Sequence, residues 1–91
     1  MEFTWSETKR AANIKAHSLD FLDARSVFEG VTFTFEDDRF SYAEQRFVTL
    51  GMLAGVIVSI VHTENEYEIR IISFRKATKR ESQIYFDEIQ N

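Results

Sequence analysis

The sequence predicts an α+β fold: two N-terminal helices, an antiparallel sheet of about four strands and a C-terminal helix, with the helices packed on one face of the sheet. Three observations carry this expectation. Apolar residues recur at three- to four-residue spacing near both ends of the chain but at two-residue spacing between them. The step Ala54-Gly55 divides the longest apolar stretch, Met52 to Val61, as a tight turn divides the strands of a hairpin. Finally, 91 residues with 44% hydrophobic and 29% charged side chains have the size and composition of one soluble globular domain, residues 1–91, closing a single core.

The elements follow in order. Met1 to Trp5 is a short edge strand or an ordered arm. Ser6 can cap a helix from about Glu7 to His17, with Glu7 favourable in its first turn and Lys9, Asn13 and His17 aligned on one polar stripe. Ser18 and Leu19 break the pattern. Asp20 and Asp23 then resemble a capping arrangement for a second helix, in which Phe21, Ala24, Val27 and Phe28 share a face and Gly30 is the stop. Val31, Phe33 and Phe35 alternate with Thr32 and Thr34 as a half-buried strand does, and the acidic residues 36–38 followed by Arg39 read as a loop. Two strands follow, from about Arg46 to Leu53 and from Val56 to Thr63. A turn at Glu64, Asn65 and Glu66 leads to a last strand from Tyr67 to Phe74, and Arg75 to about Gln90 reads as a helix. Unbroken alternation places Tyr67, Ile69, Ile71 and Ser73 on one face of the last strand and Glu68, Arg70, Ile72 and Phe74 on the other. His62 shares a face with Val56, Val58 and Ile60.

Charge and composition narrow the function. No cysteine is present, so disulfides and thiolate metal sites are excluded, and a reducing cytoplasm is the expected compartment. The two histidines, His17 and His62, are too few for a zinc site, and no apolar stretch approaches the about 20 residues of a membrane span. The three glycines, Gly30, Gly51 and Gly55, leave no room for a phosphate-cradling loop or dinucleotide fingerprint, and no cofactor is expected. The net charge is -4, yet five of the eleven bases fall between residues 70 and 80. Such a patch can meet a polyanion while acidic flanks keep the chain soluble.

Metal-free cleavage of RNA is compatible with this inventory. The 2′-hydroxyl of the substrate is the nucleophile, so the protein supplies a base, cations for the phosphate and an acid for the leaving oxygen. Arg70, Arg75, Lys79, Arg80, Glu81, Tyr85 and the two histidines contain these groups. Each also has a structural reading. Bases at a helix start are commonly a solvated face, His17 favours the end of its helix dipole, and His62 fits a core or rim position. Tyr85 and Trp5 fit packing roles, and Arg70 and Arg75 can pair with Glu68, Glu81 or Glu88.

The segments F-x-W-x-x-x-K, N-x-x-x-H and F-x-x-A-x-x-V-F, with R-F-V-T-L-G, V-H-T-E and R-I-I-S-x-R-K-A-T-x-R-E, span nearly the whole chain. Together they resemble the BrnT family of type II toxin-antitoxin toxins. The resemblance implies a RelE-like fold, a ribonuclease that inhibits translation and growth, and neutralisation by a BrnA-like ribbon-helix-helix antitoxin in a heterotetramer. Operator DNA would be reached only through the antitoxin, and no membrane or metal is implied. Carried over residue by residue, the resemblance assigns His17, Arg70, Arg75, Arg80 and Glu81 to catalysis, and Lys9, Lys76, Lys79 and Tyr85 to substrate binding. The chain departs from the family at Ala16 and Ser18, where lysine and glycine are usual, and at Phe74, where alanine is usual. A phenylalanine beside Arg75 is expected to stack on a base or block the site. The alternative implied by these departures is a weakly active or inactive partner that mainly binds the antitoxin and modulates its DNA binding.

Overall fold

The computed structural model describes residues 1–39 and 43–90. At its centre lies a five-stranded sheet in the order β1-β5-β4-β3-β2. The strands are β1 (Glu2–Thr4), β2 (Phe33–Glu36), β3 (Phe47–Leu53), β4 (Val56–Glu64) and β5 (Glu68–Lys76). β1 runs parallel to β5, and every other neighbouring pair is antiparallel. The helices are α1 (Glu7–His17), α2 (Ala24–Phe28), which follows a 3-10 turn at Phe21–Asp23, and α3 (Lys79–Ile89). The α+β class and the order of helices around a meander agree with the expectation, while the N-terminal residues add a fifth, parallel strand. None of the helices among the described residues is long and apolar enough to cross a membrane.

The helices do not share one face of the sheet. Phe21, Ala24 and Val27 pack with Val58, Ile60, Ile69, Ile71 and Phe74 in one core, joined at its margin by Trp5 and Leu19. Tyr85 packs with Val48, Leu50, Ile57 and Val61 in a second, with Ile84 beside them. Because neighbouring residues of a strand point to opposite faces, α2 covers one side of the sheet and α3 the other. Gly51 permits the first contact: a Cβ there would meet Val27 Cγ1 at 2.6 Å. Ala54 and Gly55, at φ of 50° and 82°, form the two-residue turn between β3 and β4, and both positive angles match the twist of a type I′ hairpin.

β5 departs from simple alternation. Val61 lies opposite Ser73 and His62 opposite Ile71, so Ile72 is an extra residue in a β-bulge. The insertion turns Phe74 to the side of Ile69 and Ile71, where it is fully buried. Phe74 is therefore a core residue that neither stacks on a base nor blocks a site, and removal of its apolar surface from water contributes about 2–3 kcal/mol. The strand also runs further than its pattern predicts. Arg75 pairs with Ser59, Lys76 with Val58, and the Ala77 N–H donates to the Ile57 carbonyl at 3.0 Å. The corner falls at Ala77 and Thr78, and α3 begins at Lys79 instead of Arg75.

Candidate functional site

β1 covers β5 only at Glu68, Ile69 and Arg70. Further along, no strand among the described residues lies beside the outer edge of β5, and α1 takes the place of one. The Asn13 carboxamide is 7% exposed, donates from Nδ2 to the Phe74 carbonyl at 2.7 Å, and accepts from the Phe74 N–H at 3.0 Å. Those are the two bonds a neighbouring strand would make. Nδ2 also donates to the Leu19 carbonyl at 2.9 Å. Held in this way, α1 runs along the edge with Lys9 and His17 one turn to either side of Asn13. Lys9, Ala12, Ala16, His17 and Ile72 line a shallow groove of about 240 Å³. At the end of α1 a cleft of about 310 Å³ has His17 and Lys76 on its walls with Leu19, Leu53, Val56 and Val58. His17 is common to both.

On the α3 side of β5, Arg75 Nη1 and Nη2 donate to the two Glu81 carboxylate oxygens at 2.8 and 3.0 Å. Nη1 donates in addition to the Lys76 carbonyl at 3.1 Å. Of the five guanidinium N–H groups, Nε–H and one on Nη2 have no partner among the described residues, and these two lie on one side of the planar fork. Glu81 also closes a capping box: its carboxylate accepts from the Thr78 N–H at 2.9 Å, and the Thr78 hydroxyl accepts from the Glu81 N–H at 3.1 Å. Burial opposes ionisation of Glu81, but the bonds from Arg75 and Thr78 outweigh it and hold the carboxyl below its ordinary value. It is a carboxylate at neutral pH. Lys79 and Arg80 are exposed in the first turn of α3, where cations add to the positive end of the helix dipole at a cost of about 0.3–1 kcal/mol each.

The remaining candidates lie elsewhere. Arg70 points from the other end of β5, roughly 15 Å along the strand from Arg75, and meets Glu44 at 3.9 Å. Tyr85 is 3% exposed, with its hydroxyl donating to the Val31 carbonyl at 2.8 Å, a position inside the second core. His62 is 1% exposed, hydrogen-bonded to Thr49 Oγ1 at 2.7 Å, and burial pushes its pKa down to about 4. The core reading of His62 therefore holds. In the sequence Asn13 is one member of a polar stripe, and nothing in that pattern marks it as the joint between helix and sheet. The capping box had a legible signal, Thr78 followed three residues later by Glu81.

The fold and the site define a small α+β protein whose β5 edge, braced by Asn13 of α1, is flanked by cations and a histidine; no group of three metal-ligating side chains is found among the described residues. Residues 5–81 match the family described as ribonuclease toxin, BrnT, of type II toxin-antitoxin system, and the chain belongs to that family. It is thus a type II ribonuclease toxin by family, and an antitoxin is its partner. No individual curated protein matches it significantly.

Proposed function

We propose that this chain is a metal-independent endoribonuclease whose working surface is the open edge of β5. The observation that carries the reading is Arg75, fixed by two bonds to Glu81 while one side of its fork has no partner among the described residues. Such an arrangement presents two parallel donors to a phosphate without reorganisation. An RNA strand lying across the edge meets Lys9, His17 and Lys76 on the α1 side and Arg75, Lys79 and Arg80 on the α3 side. His17 takes the proton of the 2′-hydroxyl, and the 2′-oxygen forms a bond to phosphorus as the bond from phosphorus to the 5′-oxygen breaks. The departing 5′-oxygen takes a proton from solvent water at the exposed edge while His17 returns its own to solvent. The products are a 2′,3′-cyclic phosphate and a 5′-hydroxyl. Glu81 acts as the ionic support of Arg75, since a carboxyl held ionised is a poor acid. Tyr85 supports the corner from within.

The partner in this reading is a BrnA-like ribbon-helix-helix antitoxin that forms a heterotetramer with the toxin and touches operator DNA on its behalf. It neutralises by covering the basic edge, and an acidic segment gives the needed complementarity. Expression in a cytoplasm without that partner arrests growth. A second reading has one observation in its favour: Glu81 already occupies the end of the Arg75 fork. On that reading the chain is a weak nuclease that chiefly binds the antitoxin and sets its DNA occupancy.

Purified chain incubated with RNA in EDTA decides between them. Cleavage with cyclic phosphate ends is expected, and Arg75→Ala should lower the rate by about 10²–10³. Intact RNA would shift the assignment to the second reading, and full activity in a folded Arg75→Ala variant would remove Arg75 from the mechanism.

A further inference from the structure

We infer that Asn13 is a positioning residue for the ribonuclease reaction: its carboxamide locks α1 to the open edge of β5 and thereby sets where His17 and Lys9 stand against Lys76. The inference rests on the reading of that edge as the working surface. Asparagine is a poor choice for the middle of a helix, and a buried amide is unfavourable unless its groups are paired. Here all are paired. Both Nδ2 hydrogens are used, one on Phe74 and one on Leu19, and Oδ1 accepts from the Phe74 N–H.

The match is directional in a way that an apolar contact is not. Along a strand, N–H and C=O point to the same edge only at every second residue. The bulge at Ile72 removes the neighbouring match on one side, and on the other the Lys76 carbonyl is taken by Arg75. α1 therefore has one register along β5. The same amide also holds both flanks of His17, because Asn13 lies one turn before it and Leu19 two residues after it. Between them Ser18 adopts the left-handed conformation, φ 60°. The helix end cannot slide or rotate without breaking a bond to Asn13.

The test compares Asn13→Ala and Asn13→Gln with Val48→Ala, a substitution in the second core on the other face of the sheet. Asn13→Gln keeps every donor and acceptor but displaces the helix by one methylene. Its expected result is a native-like melting temperature, an unchanged KM for RNA and a kcat lower by about a hundredfold, the scale of a misplacement near 1 Å. Asn13→Ala should lose kcat further, whereas Val48→Ala should melt earlier and keep its kcat. Wild-type kcat in folded Asn13→Gln, or equal losses in Asn13→Ala and Val48→Ala, would overturn the inference. A second readout does not depend on cleavage. The His17 ring resonances should move in both Asn13 variants while methyl resonances of the second core stay in place, and unmoved His17 resonances overturn the positioning role. In a chain that cleaves no RNA, the proposed activity fails and these resonances alone decide the role of Asn13.

Discussion

His62 lies inside the sheet, its ring 5.2 Å from Phe28 and 6.0 Å from Phe47 between centroids, with Thr49 Oγ1 at 2.7 Å. His17 stands exposed at the last turn of α1, between two clefts and near Lys76. One residue type thus serves two ends. Burial strips His62 of water and lowers its pKa to about 4, so at neutral pH it is an uncharged packing group with no route to a substrate. His17 has water, neighbouring cations and a helix end that is tied down. Proton transfer needs a side chain that the substrate can reach, and only one of the two meets that condition.

Exchanging the roles of the two histidines is the strongest way to break the comparison. His17→Ala should lower RNA cleavage by about 10²–10⁴ with little change in melting temperature. His62→Ala should do the opposite, costing about 2–4 kcal/mol in urea unfolding while the folded fraction keeps its turnover number. A similar loss of turnover in both would abolish the distinction.

Acid sharpens it. Because the folded-state pKa of His62 is depressed, the unfolded chain takes up this proton first, and stability is complete above the ordinary value of 6.5 and lost as pH falls toward about 4. That loss reaches about 3 kcal/mol. The Glu81 carboxyl, also depressed, contributes in the same direction, its share being lost as pH falls below its ordinary value of 4.5. Urea midpoints measured between pH 7 and 4 should fall steeply in the wild type and less in a His62→Gln variant.

Smaller effects probe the edge. Arg70→Ala, at the loosely paired end of β5, should change cleavage by less than about threefold, since an ion pair at 3.9 Å in solvent contributes little. A loss as large as that of Arg75→Ala would extend the working surface along the whole strand. Ser18→Gly should raise stability by about 0.5–1 kcal/mol, because Ser18 caps α1 at φ 60° where glycine carries no Cβ penalty. Calorimetry reads this directly. Activity should hold, since the Asn13 bonds to Phe74 and Leu19 are untouched.

Much of the fold was legible because its signals are local. Ser6 before a run of helix formers, the Ala54-Gly55 turn and the alternation of Val58, Ile60 and His62 depend on residues close in sequence, and each element formed within a few residues of its expected place. The errors arise where a local rule was carried through an interruption. Strict alternation in β5 assigned Phe74 to the face of Arg70, and a single inserted residue at Ile72 reversed it. Helix-forming residues after Phe74 placed the corner too early, because cross-strand pairing with Ser59 and Val58 overrides propensity at Arg75 and Lys76. Of the candidate site, the cations and His17 were visible as residue types, while the division between an α1 side and an α3 side was not.

The amino-acid sequence by itself determined the class of fold, the hairpin, the span of α1, the place of His62 and the family motifs, since all of these are written in spacing along the chain. Tertiary structure decided which face each helix covers, that Phe74 is core, that Glu81 carries Arg75, and that Asn13 meets Phe74 across 61 positions. Those outcomes depend on a bulge and on backbone groups left unpaired at a sheet edge. An unpaired N–H and C=O must find a partner, but which side chain supplies it follows from how the layers meet and has no periodicity of its own.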